Sequence, residues 1–272
     1  MSDDIMNIDG FTIQQGPLND RVYLMSSAPN ARDSDLPKKL LTMAQENGRG
    51  KVLAKVPFSM KKAFLDDGYV VEARVRGMFG REDGIFVSHF LDDSRDGLLS
   101  DGEMSILHRC VQEDPSPSGD GEDVQELDET HAGIISSLLD ETFQGYPFPV
   151  HDVDFIRQTM DNGTRYFGLF QDGDLVSLAS AECDAKHRCA EITDMATMED
   201  ERGNGLSRKV LVHLQGILKK DGYRTAYTIA RSRSAAVNTL FSREGYHYAG
   251  SLRRNTFFGD GLENMNVWHR RL

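Results

Sequence analysis

The sequence predicts an α/β protein in which a mixed β-sheet carries helices on both faces. Two observations predict this class. Between residues 124 and 272, short apolar strands alternate with amphipathic helices in the order βααβββαβαββ. Residues 20–92 carry a shorter unit of the same kind. A mixed sheet covered by helices gives each of these elements a place to bury its apolar face.

A linker divides the chain into two predicted domains. The stretch CVQEDPSPSGDGEDV (110–124) is rich in proline, serine, glycine and acidic residues and has little to bury. We therefore predict an N-terminal αβ domain over residues 1–109, a linker over 110–123 and a second domain over 124–272. Both domains have an ordinary size.

Apolar spacing and turn residues define the elements of the second domain. Residues 129–143 place apolar side chains at helical spacing, and Asp172-Gly173 is a typical hairpin turn. The predicted elements are a strand at 124–127, helices at 129–143 and 151–162, strands at 165–171, 174–183 and 189–198, a helix at 206–220, a strand at 224–230, a helix at 234–246, and strands at 247–253 and 264–272.

The first domain resembles a degenerate copy of the last part of the second domain. Residues 36–56 predict a helix, a glycine stop and a strand, in the same order as residues 206–230. Residues 61–75 then match residues 238–252. We interpret residues 20–92 as a degenerate half-domain that has lost its glycine turn. The alternative, that any αβαββ unit looks similar, stays open.

The charge balance limits the partners of the protein. A formal net charge of −12 argues against nonspecific binding to nucleic acid or anionic membranes, which needs clustered lysine and arginine. It suits a cytoplasmic protein with a cationic small substrate. Cys110, Cys183 and Cys189 form no CxxC pair and no metal-ligand spacing, so we expect reduced thiols and no bound metal. No apolar run is long enough to span a bilayer.

A glycine turn at the start of the most regular helix is the candidate binding site. Arg202-Gly203-Asn204-Gly205 follows a strand and opens the helix at 206–220. A helix N-terminus offers unpaired N–H groups and a partial positive charge, and glycines let the backbone approach an anion closely. The segment therefore predicts a pyrophosphate cradle. It departs from the dinucleotide-binding pattern, because no GxGxxG follows the first strand.

These motifs carry a family resemblance. A strand, the pattern R-x-x-G-x-(G or A), a helix, a strand and an Asn-bearing helix that ends in Gly-Tyr resemble the GNAT acetyltransferase superfamily over residues 123–272. The resemblance implies a GNAT fold with acetyl-CoA as co-substrate, although Ser207 stands where the family has Gly or Ala. The residues assigned to acetyl-CoA are Met195, Ala196, Thr197, Arg202, Gly203, Asn204, Gly205, Leu206, Ser207, Asn238 and Phe241.

The same resemblance implies the chemistry. Glu191 falls on the general base of one branch of the superfamily, and a carboxylate can take the proton that an ammonium must lose before it attacks a thioester. Backbone N–H groups near Met195 and Ala196 would face the thioester carbonyl. Phe241 stands where many members carry a general-acid tyrosine, so no general acid is predicted. The alternative for Glu191 is a solvated strand carboxylate.

A closer resemblance covers nearly the whole chain. Residues 35–91, 146–152 and 254–268 resemble the β-lysine N-acetyltransferases, which make the compatible solute N-ε-acetyl-β-lysine. β-Lysine has two ammonium groups and one carboxylate. The candidate contacts are Asp194, Glu182, Tyr146 and Phe148, with Asp152 as a further acid and Arg253, Arg254 or Arg231 for the carboxylate. In a regular strand Asp194 would face away from Glu191, and the two aromatic residues could instead fill the core.

Two other functions stay open. The acceptor could be another amine, such as lysine, a polyamine or a protein lysine. A non-catalytic module that senses acyl-CoA would explain Phe241 in place of a general acid, whereas Glu191 and the intact glycine turn favour a catalyst. Whether the chain forms a homodimer is also open.

Overall fold

A computed structural model describes residues 3–27, 35–116, 123–143, 148–259 and 261–272. Its strands form one continuous sheet of thirteen. In chain order they are β1 (Asp4–Ile8), β2 (Phe11–Gly16), β3 (Arg21–Ser27), β4 (Lys51–Pro57), β5 (Val70–Phe79), β6 (Glu82–Phe90), β7 (Val124–Leu127), β8 (Thr164–Gln171), β9 (Asp174–Asp184), β10 (Cys189–Thr197), β11 (Thr225–Arg231), β12 (His247–Phe258) and β13 (Gly261–Arg271).

Seven α-helices accompany these strands in the described ranges. They are α1 (Leu36–Glu46), α2 (Lys61–Asp66), α3 (Asp101–Gln112), α4 (Ala132–Thr142), α5 (Val153–Asp161), α6 (Leu206–Lys220) and α7 (Ala235–Arg243). From β7 to β13 the elements follow the predicted order βααβββαβαββ, so the predicted α/β class with a mixed sheet is confirmed. None of the helices in these ranges combines the length and apolar character that a bilayer crossing requires.

The sheet contains one connectivity twice. Its order is β1-β2-β3-β4-β6-β5-β12-β13-β11-β10-β9-β8-β7. In the first part β3 and β4 are parallel, while β6 is antiparallel to both β4 and β5. In the second part β10 and β11 are parallel, while β13 is antiparallel to both β11 and β12. The two βαβαββ units therefore meet back to back at β5 and β12, as two copies related by a twofold axis would.

Four apolar clusters hold this sheet and its helices together. One lies under α1 and α2, one under α4 and α5, and one under α3, α6 and α7. The fourth joins the two parts: Tyr23, Leu53 and Phe86 of the first pack with Tyr227 and Val267 of the second. Each large side chain buried in this way contributes about 1.5–3 kcal/mol. The inner faces of the two units are therefore packed against each other.

The seam between the units is narrow and polar. β5 and β12 are paired at Gly250 and Ala73, and Gly250 has a φ of 141°. A Cβ at Gly250 would overlap the carbonyl oxygen of Glu72. Next to it, the fully buried ammonium of Lys51 donates to Glu72 Oε2 and to the carbonyl of Arg253, each at 2.8 Å. These contacts fix the first unit against a β-bulge of β12.

Helix α3 was not among the predicted elements. Its N-terminus carries a capping box between Ser100 and Glu103. The buried Glu103 carboxylate also accepts from the amide of Asn264 on β13, at 3.1 and 3.0 Å. At its other end, the Cys110 carbonyl accepts from the hydroxyl of Ser242 on α7. The helix thus runs into the predicted linker and packs on the second unit, and the domain boundaries themselves stay a prediction.

Candidate active site

The glycine turn forms an open cradle at the start of α6. Gly203 and Gly205 have φ values of 88° and 76°, which favour glycine. A Cβ at either position would meet nothing within 4 Å. Gly205 is the N-cap of α6 and provides no side-chain cap, so the first amides of the helix point to an uncovered space. This geometry fits a bound pyrophosphate, as the motif predicted.

Side chains tie this cradle to the end of β10. The hydroxyl of Ser207 lies 2.8 Å from that of Thr197, which lies 2.9 Å from the hydroxyl of Ser177 on β9. Arg202 Nε donates to the carbonyl of Thr197 at 3.3 Å. Leu206 is buried in the core beneath α6. The turn is therefore held at a fixed place by contacts that leave its backbone exposed.

The two candidate asparagines differ in their surroundings, since Asn204 lies on the exposed turn and Asn238 of α7 lies in the protein interior. Asn204 Nδ2 donates to Glu201 Oε2 at 3.1 Å. Asn238 is fully buried: its Nδ2 donates to the carbonyls of Arg231 and Ser234, and its Oδ1 accepts from Asn266 and Trp268. The amide thus has protein partners for all four of its hydrogen-bonding positions. A contact between Asn238 and the coenzyme stays a prediction, and it would require that one of these bonds be exchanged.

Phe241 belongs to the core of the second unit. Its ring is 1% exposed and packs edge-on against Tyr246, with the ring centroids 4.9 Å apart. The hydroxyl of Tyr246 is buried and has no partner among the described residues. Phe241 cannot donate a proton, so this position supplies no general acid. Its predicted contact with acetyl-CoA stays a prediction.

Strand β10 separates from β11 where the predicted base is located. The parallel pairing covers Cys189 to Glu191, and Glu191 lies opposite Tyr227. The pairing with β9 also shifts between Thr193 and Ala196, which is a β-bulge. Met195, Ala196 and Thr197 therefore lie beyond the last pair with β11, on the strand that leads to the cradle. The divergence opens a gap between β10 and β11 that starts at Glu191.

The bulge changes the direction of Asp194. A regular strand would place this side chain on the face opposite to Glu191. In the bulge Asp194 adopts a left-handed φ of 46°, and its Oδ2 accepts from the hydroxyl of Ser180 on β9 at 2.7 Å. Ser180 and Glu182 are two residues apart on β9 and so share a face, and Glu182 lies directly opposite Glu191. The three carboxylates therefore line one cleft.

The pKa of Glu182 is raised in this cleft. Partial removal of its carboxyl from solvent and the repulsion from Glu191 and Asp194 raise this pKa to about 8, while the nearby Lys55 lowers it. Water still reaches the Glu182 side chain, so solvent screens part of this repulsion. A carboxyl with a raised pKa next to the predicted base is typical of sites that move protons.

Two residues of the first unit reach the same cleft, and the sequence analysis did not select them. Lys55 Nζ on β4 donates to the hydroxyl of Tyr227 at 3.1 Å and lies 4.0 Å from Glu191 Oε2. The Tyr227 hydroxyl donates to that same Oε2 at 2.6 Å. Burial and the nearby Glu191 raise the pKa of Tyr23 on β3 to about 12, against the effect of Lys55. The available signal was a lysine within the otherwise apolar segment VLAKV (52–56).

The remaining candidates for substrate contact have other partners or other places. Tyr146 lies outside the described residues. Phe148 packs on the apolar cluster under α4 and α5. Asp152 caps α5 by accepting from the amide of Asp154 at 2.9 Å. The contacts of Phe148 and Asp152 are thus those of structural residues, and their roles toward a substrate stay predictions.

The three candidate arginines differ in their contacts. Arg231 forms a two-pronged ion pair with Glu263, at 2.9 and 2.7 Å. Arg253 donates to the carboxylates of Glu72 and Asp96. Arg254 is exposed on the β12 bulge, with a left-handed φ of 38°. None of these contacts selects one arginine for a substrate carboxylate.

Comparison with known proteins identifies the family. The model of the acetyltransferase (GNAT) family matches residues 132–245, which span α4 to the end of α7. A protein of Methanococcus maripaludis is 33% identical over 270 residues, which cover 98% of each chain. The chain therefore belongs to the GNAT acetyltransferase family and is an acetyl-CoA-dependent N-acetyltransferase. The predicted resemblance and the predicted co-substrate are confirmed.

Two archaeal relatives carry the same name. The M. maripaludis protein is named β-lysine N(6)-acetyltransferase. A second protein of that name, from Methanosarcina mazei, is 29% identical over 89% of this chain and 98% of its own. Among solved structures, the ribosomal-protein-S18-alanine N-acetyltransferase of Escherichia coli is 21% identical and covers 54% of this chain and 92% of its own, with a TM-score of 0.49.

Proposed function

We propose that this enzyme transfers the acetyl group of acetyl-CoA to the N6 amine of β-lysine. The observation that carries the proposal is the acidic cleft where β10 leaves β11, in which Glu191, Glu182 and Asp194 share one face. A cleft with three carboxylates favours an acceptor with more than one positive charge. The names of the two archaeal relatives support β-lysine, which carries two ammonium groups, as that acceptor.

Binding of the co-substrate would use the cradle at α6. Acetyl-CoA supplies an activated thioester. The backbone of residues 202–207 would hold its pyrophosphate, because these amides open to an uncovered space. The gap between β10 and β11 would then direct the acetyl group toward Glu191. Backbone N–H groups near Met195 and Ala196, at the bulge, would stabilise negative charge on the acetyl oxygen during transfer.

Glu191 would act as the base. The acceptor arrives as an ammonium, and it becomes a nucleophile when Glu191 takes a proton from it, directly or through one water. The nitrogen then bonds to the acetyl carbon as the carbon–sulfur bond breaks, and it releases its second proton to water. The thiolate is a fairly good leaving group and can take its proton from water. Asp194 and Glu182 would hold the ammonium groups of the acceptor in the cleft, because a cation bound beside Glu182 lowers its raised pKa and favours the carboxylate.

The product suggests a role in osmotic adaptation. Acetylation neutralises one of the two ammonium groups of β-lysine and leaves a zwitterion. A zwitterion can accumulate without a counter-ion, as a compatible solute must. We place the reaction in the cytoplasm, where acetyl-CoA is available, and the three cysteines would be reduced there.

The direct test is substrate selection by the purified enzyme. β-Lysine, α-lysine and spermidine are incubated separately with acetyl-CoA, while free thiol and product mass are measured. We expect selective acetylation of β-lysine on N6, with the position established by fragmentation. Faster turnover of α-lysine or spermidine would overturn the choice of acceptor and leave the enzyme class unchanged.

A second test addresses the base. Glu191→Gln should lower kcat by roughly 100- to 10,000-fold, the usual contribution of general base catalysis, and should leave acetyl-CoA affinity unchanged. Glu46→Gln, at an exposed glutamate at the end of α1, is the matched control and should behave like the unmodified enzyme. Normal turnover by Glu191→Gln would show that another group takes the proton.

A further inference from the structure

We propose that Lys55, in the first unit of the chain, is a positioning residue for Glu191 in the second unit. It would orient the Glu191 carboxylate through Tyr227 and place a positive charge beside it during the proton transfer. The proposal rests on the proposed function in one respect, since it takes Glu191 as the base. It gives the first unit a part in the reaction, because the catalytic cleft would be incomplete without it.

The contacts form a short chain from one unit to the other. Lys55 Nζ donates to the Tyr227 hydroxyl at 3.1 Å, and that hydroxyl donates to Glu191 Oε2 at 2.6 Å. Lys55 Nζ also lies 4.0 Å from the same oxygen, with side-chain exposures of 19% for Lys55 and 15% for Glu191. Both contacts act on Oε2, so they constrain the orientation of the carboxylate through one of its two oxygens. The Tyr227 hydroxyl can donate to Glu191 while it accepts from Lys55, which fixes the direction of the chain.

The repeated connectivity of the sheet explains why Lys55 lies near Glu191. Tyr23 and Leu53 form the third residue pair of the parallel β3–β4 ladder, and Glu191 and Tyr227 form the third pair of the parallel β10–β11 ladder. Tyr23 therefore occupies the position in the first unit that the base occupies in the second. Because the inner faces pack together, Tyr23 and Lys55 face the catalytic strand.

The titratable groups around Glu191 lie on six strands. Those that face this cluster are Arg21 and Tyr23 of β3, Lys55 of β4, Tyr166 of β8, Glu182 of β9, Cys189, Glu191 and Asp194 of β10, and Tyr227 of β11. Arg21 lies over the Tyr23 ring, 5.0 Å from its centroid, and its guanidinium donates to the Asn255 carbonyl and to Gln14. Lys55 is thus the cation in direct range of Glu191.

Two carboxyl groups face each other across strands β9 and β10. Glu182 and Glu191 are a cross-strand pair, and like charges directly opposite each other are unfavourable. The ammonium of Lys55 offsets this repulsion. Burial alone would lower the pKa of Lys55, but Tyr23, Glu191 and Glu182 outweigh it and raise that pKa, so Lys55 stays charged. The positive charge of Lys55 thus lies 4.0 Å from the carboxylate oxygen of the proposed base.

The test is the pH profile of kcat/KM in Lys55 variants. Lys55→Met removes the charge at similar length, and we expect the acid limb of the profile to move to higher pH by on the order of one pH unit. On the acid limb itself, a displacement of about one pH unit corresponds to roughly tenfold lower kcat/KM at a given pH, and the difference closes as the pH rises. Lys55→Arg keeps the charge and should keep the limb in place. Lys62→Met, at an exposed lysine of the same unit, is the matched control.

A residue that only stabilised the fold would give a different result. In that case Lys55→Met would lower the melting temperature and the amount of active enzyme, with the acid limb unchanged. An unchanged limb overturns the proposal at any level of activity. Acetyl-CoA affinity, measured by calorimetry, should stay constant in all variants, because the cradle lies on α6.

A direct titration makes the test independent of the acceptor. The enzyme is labelled with ¹³C at the glutamate side-chain carboxyls, and the Glu191 signal is assigned with Glu191→Gln. Its titration should move to higher pH in Lys55→Met, or in Lys55→Gln if the first variant does not fold. Coincident titration curves would refute the role of Lys55. If an amine other than β-lysine is the acceptor, the pH profile is measured with that amine, so failure of the proposed substrate is separate from failure of this proposal.

Discussion

Replacing Gly250 with alanine tests the seam between the two units. The added Cβ would overlap the carbonyl oxygen of Glu72, and the φ of 141° is one that residues with a side chain rarely adopt. Overpacking costs about 1–3 kcal/mol, and a strained backbone costs about as much again. We take about 3 kcal/mol in total, which lowers the melting temperature by about 6–12 °C in a chain of this size. Differential scanning calorimetry measures this change.

A glycine-to-alanine substitution on the exposed face of a helix should instead raise the melting temperature. Gly216 lies on the exposed side of α6, and a Cβ there would meet nothing within 4 Å. Alanine is favoured over glycine in helices by about 1 kcal/mol, so Gly216→Ala should raise the melting temperature by about 2–4 °C. A change of less than about 2 °C corresponds to less than about 1 kcal/mol. If Gly250→Ala changes the melting temperature by no more than this, the close backbone contact at the seam does not exist in solution.

Three further predictions concern acetyl-CoA binding at the cradle, a buried hydrogen bond in the core, and the loss of stability at low pH. Gly205→Ala forces an alanine to a φ of 76° at the cradle, so the melting temperature should fall by about 2–4 °C, and isothermal calorimetry should show about tenfold weaker acetyl-CoA binding. Asn238→Ala leaves the buried Trp268 Nε1 without an acceptor, and should cost about 3 kcal/mol in a denaturant titration. Burial alone would raise the pKa values of Glu72 and Glu103, but their ion-pair and hydrogen-bond partners hold both below 4.5. The unfolded chain then binds more protons in acid, so this stabilisation is present above pH 4.5 and is lost as the pH falls, which melting curves at pH 6 and pH 3.5 would show.

The second unit was predictable because its signals are local. The helix at 206–220 has an apolar stripe, a glycine turn before it and Asp221-Gly222 after it, and the structure places α6 at those bounds. The elements missed by the sequence analysis lack such signals or depend on distant contacts. Helix α3 begins with a capping box, but it packs on α7 through Cys110 and Ser242, which are 132 residues apart. No local pattern reports such a contact.

The motifs of the candidate site could be read from the sequence, whereas the contacts between them could not. The pattern at 202–205 indicated an anion cradle, and the family resemblance indicated a carboxylate base at Glu191; both roles stay predictions. The direction of Asp194 depends on a bulge, which a two-residue alternation cannot reveal. Lys55 and Tyr227 are 172 residues apart in the sequence, and their contact forms because the inner faces of the two units pack together. Sequence periodicity reports which face of a strand is buried, and it does not report what covers that face.

The repeated connectivity in one sheet also affects how this enzyme can change over evolutionary time. In a symmetric pair of identical chains, every substitution appears in both copies, so a residue that supports one site must be tolerated at the other. Here the two units are covalently joined and their sequences are independent. Tyr23 and Glu191 hold equivalent positions in the pairings β3–β4 and β10–β11, yet one is a tyrosine and the other a carboxylate. A substitution on β3 or β4 therefore changes the surroundings of Glu191 at one place only, and no second site has to tolerate it.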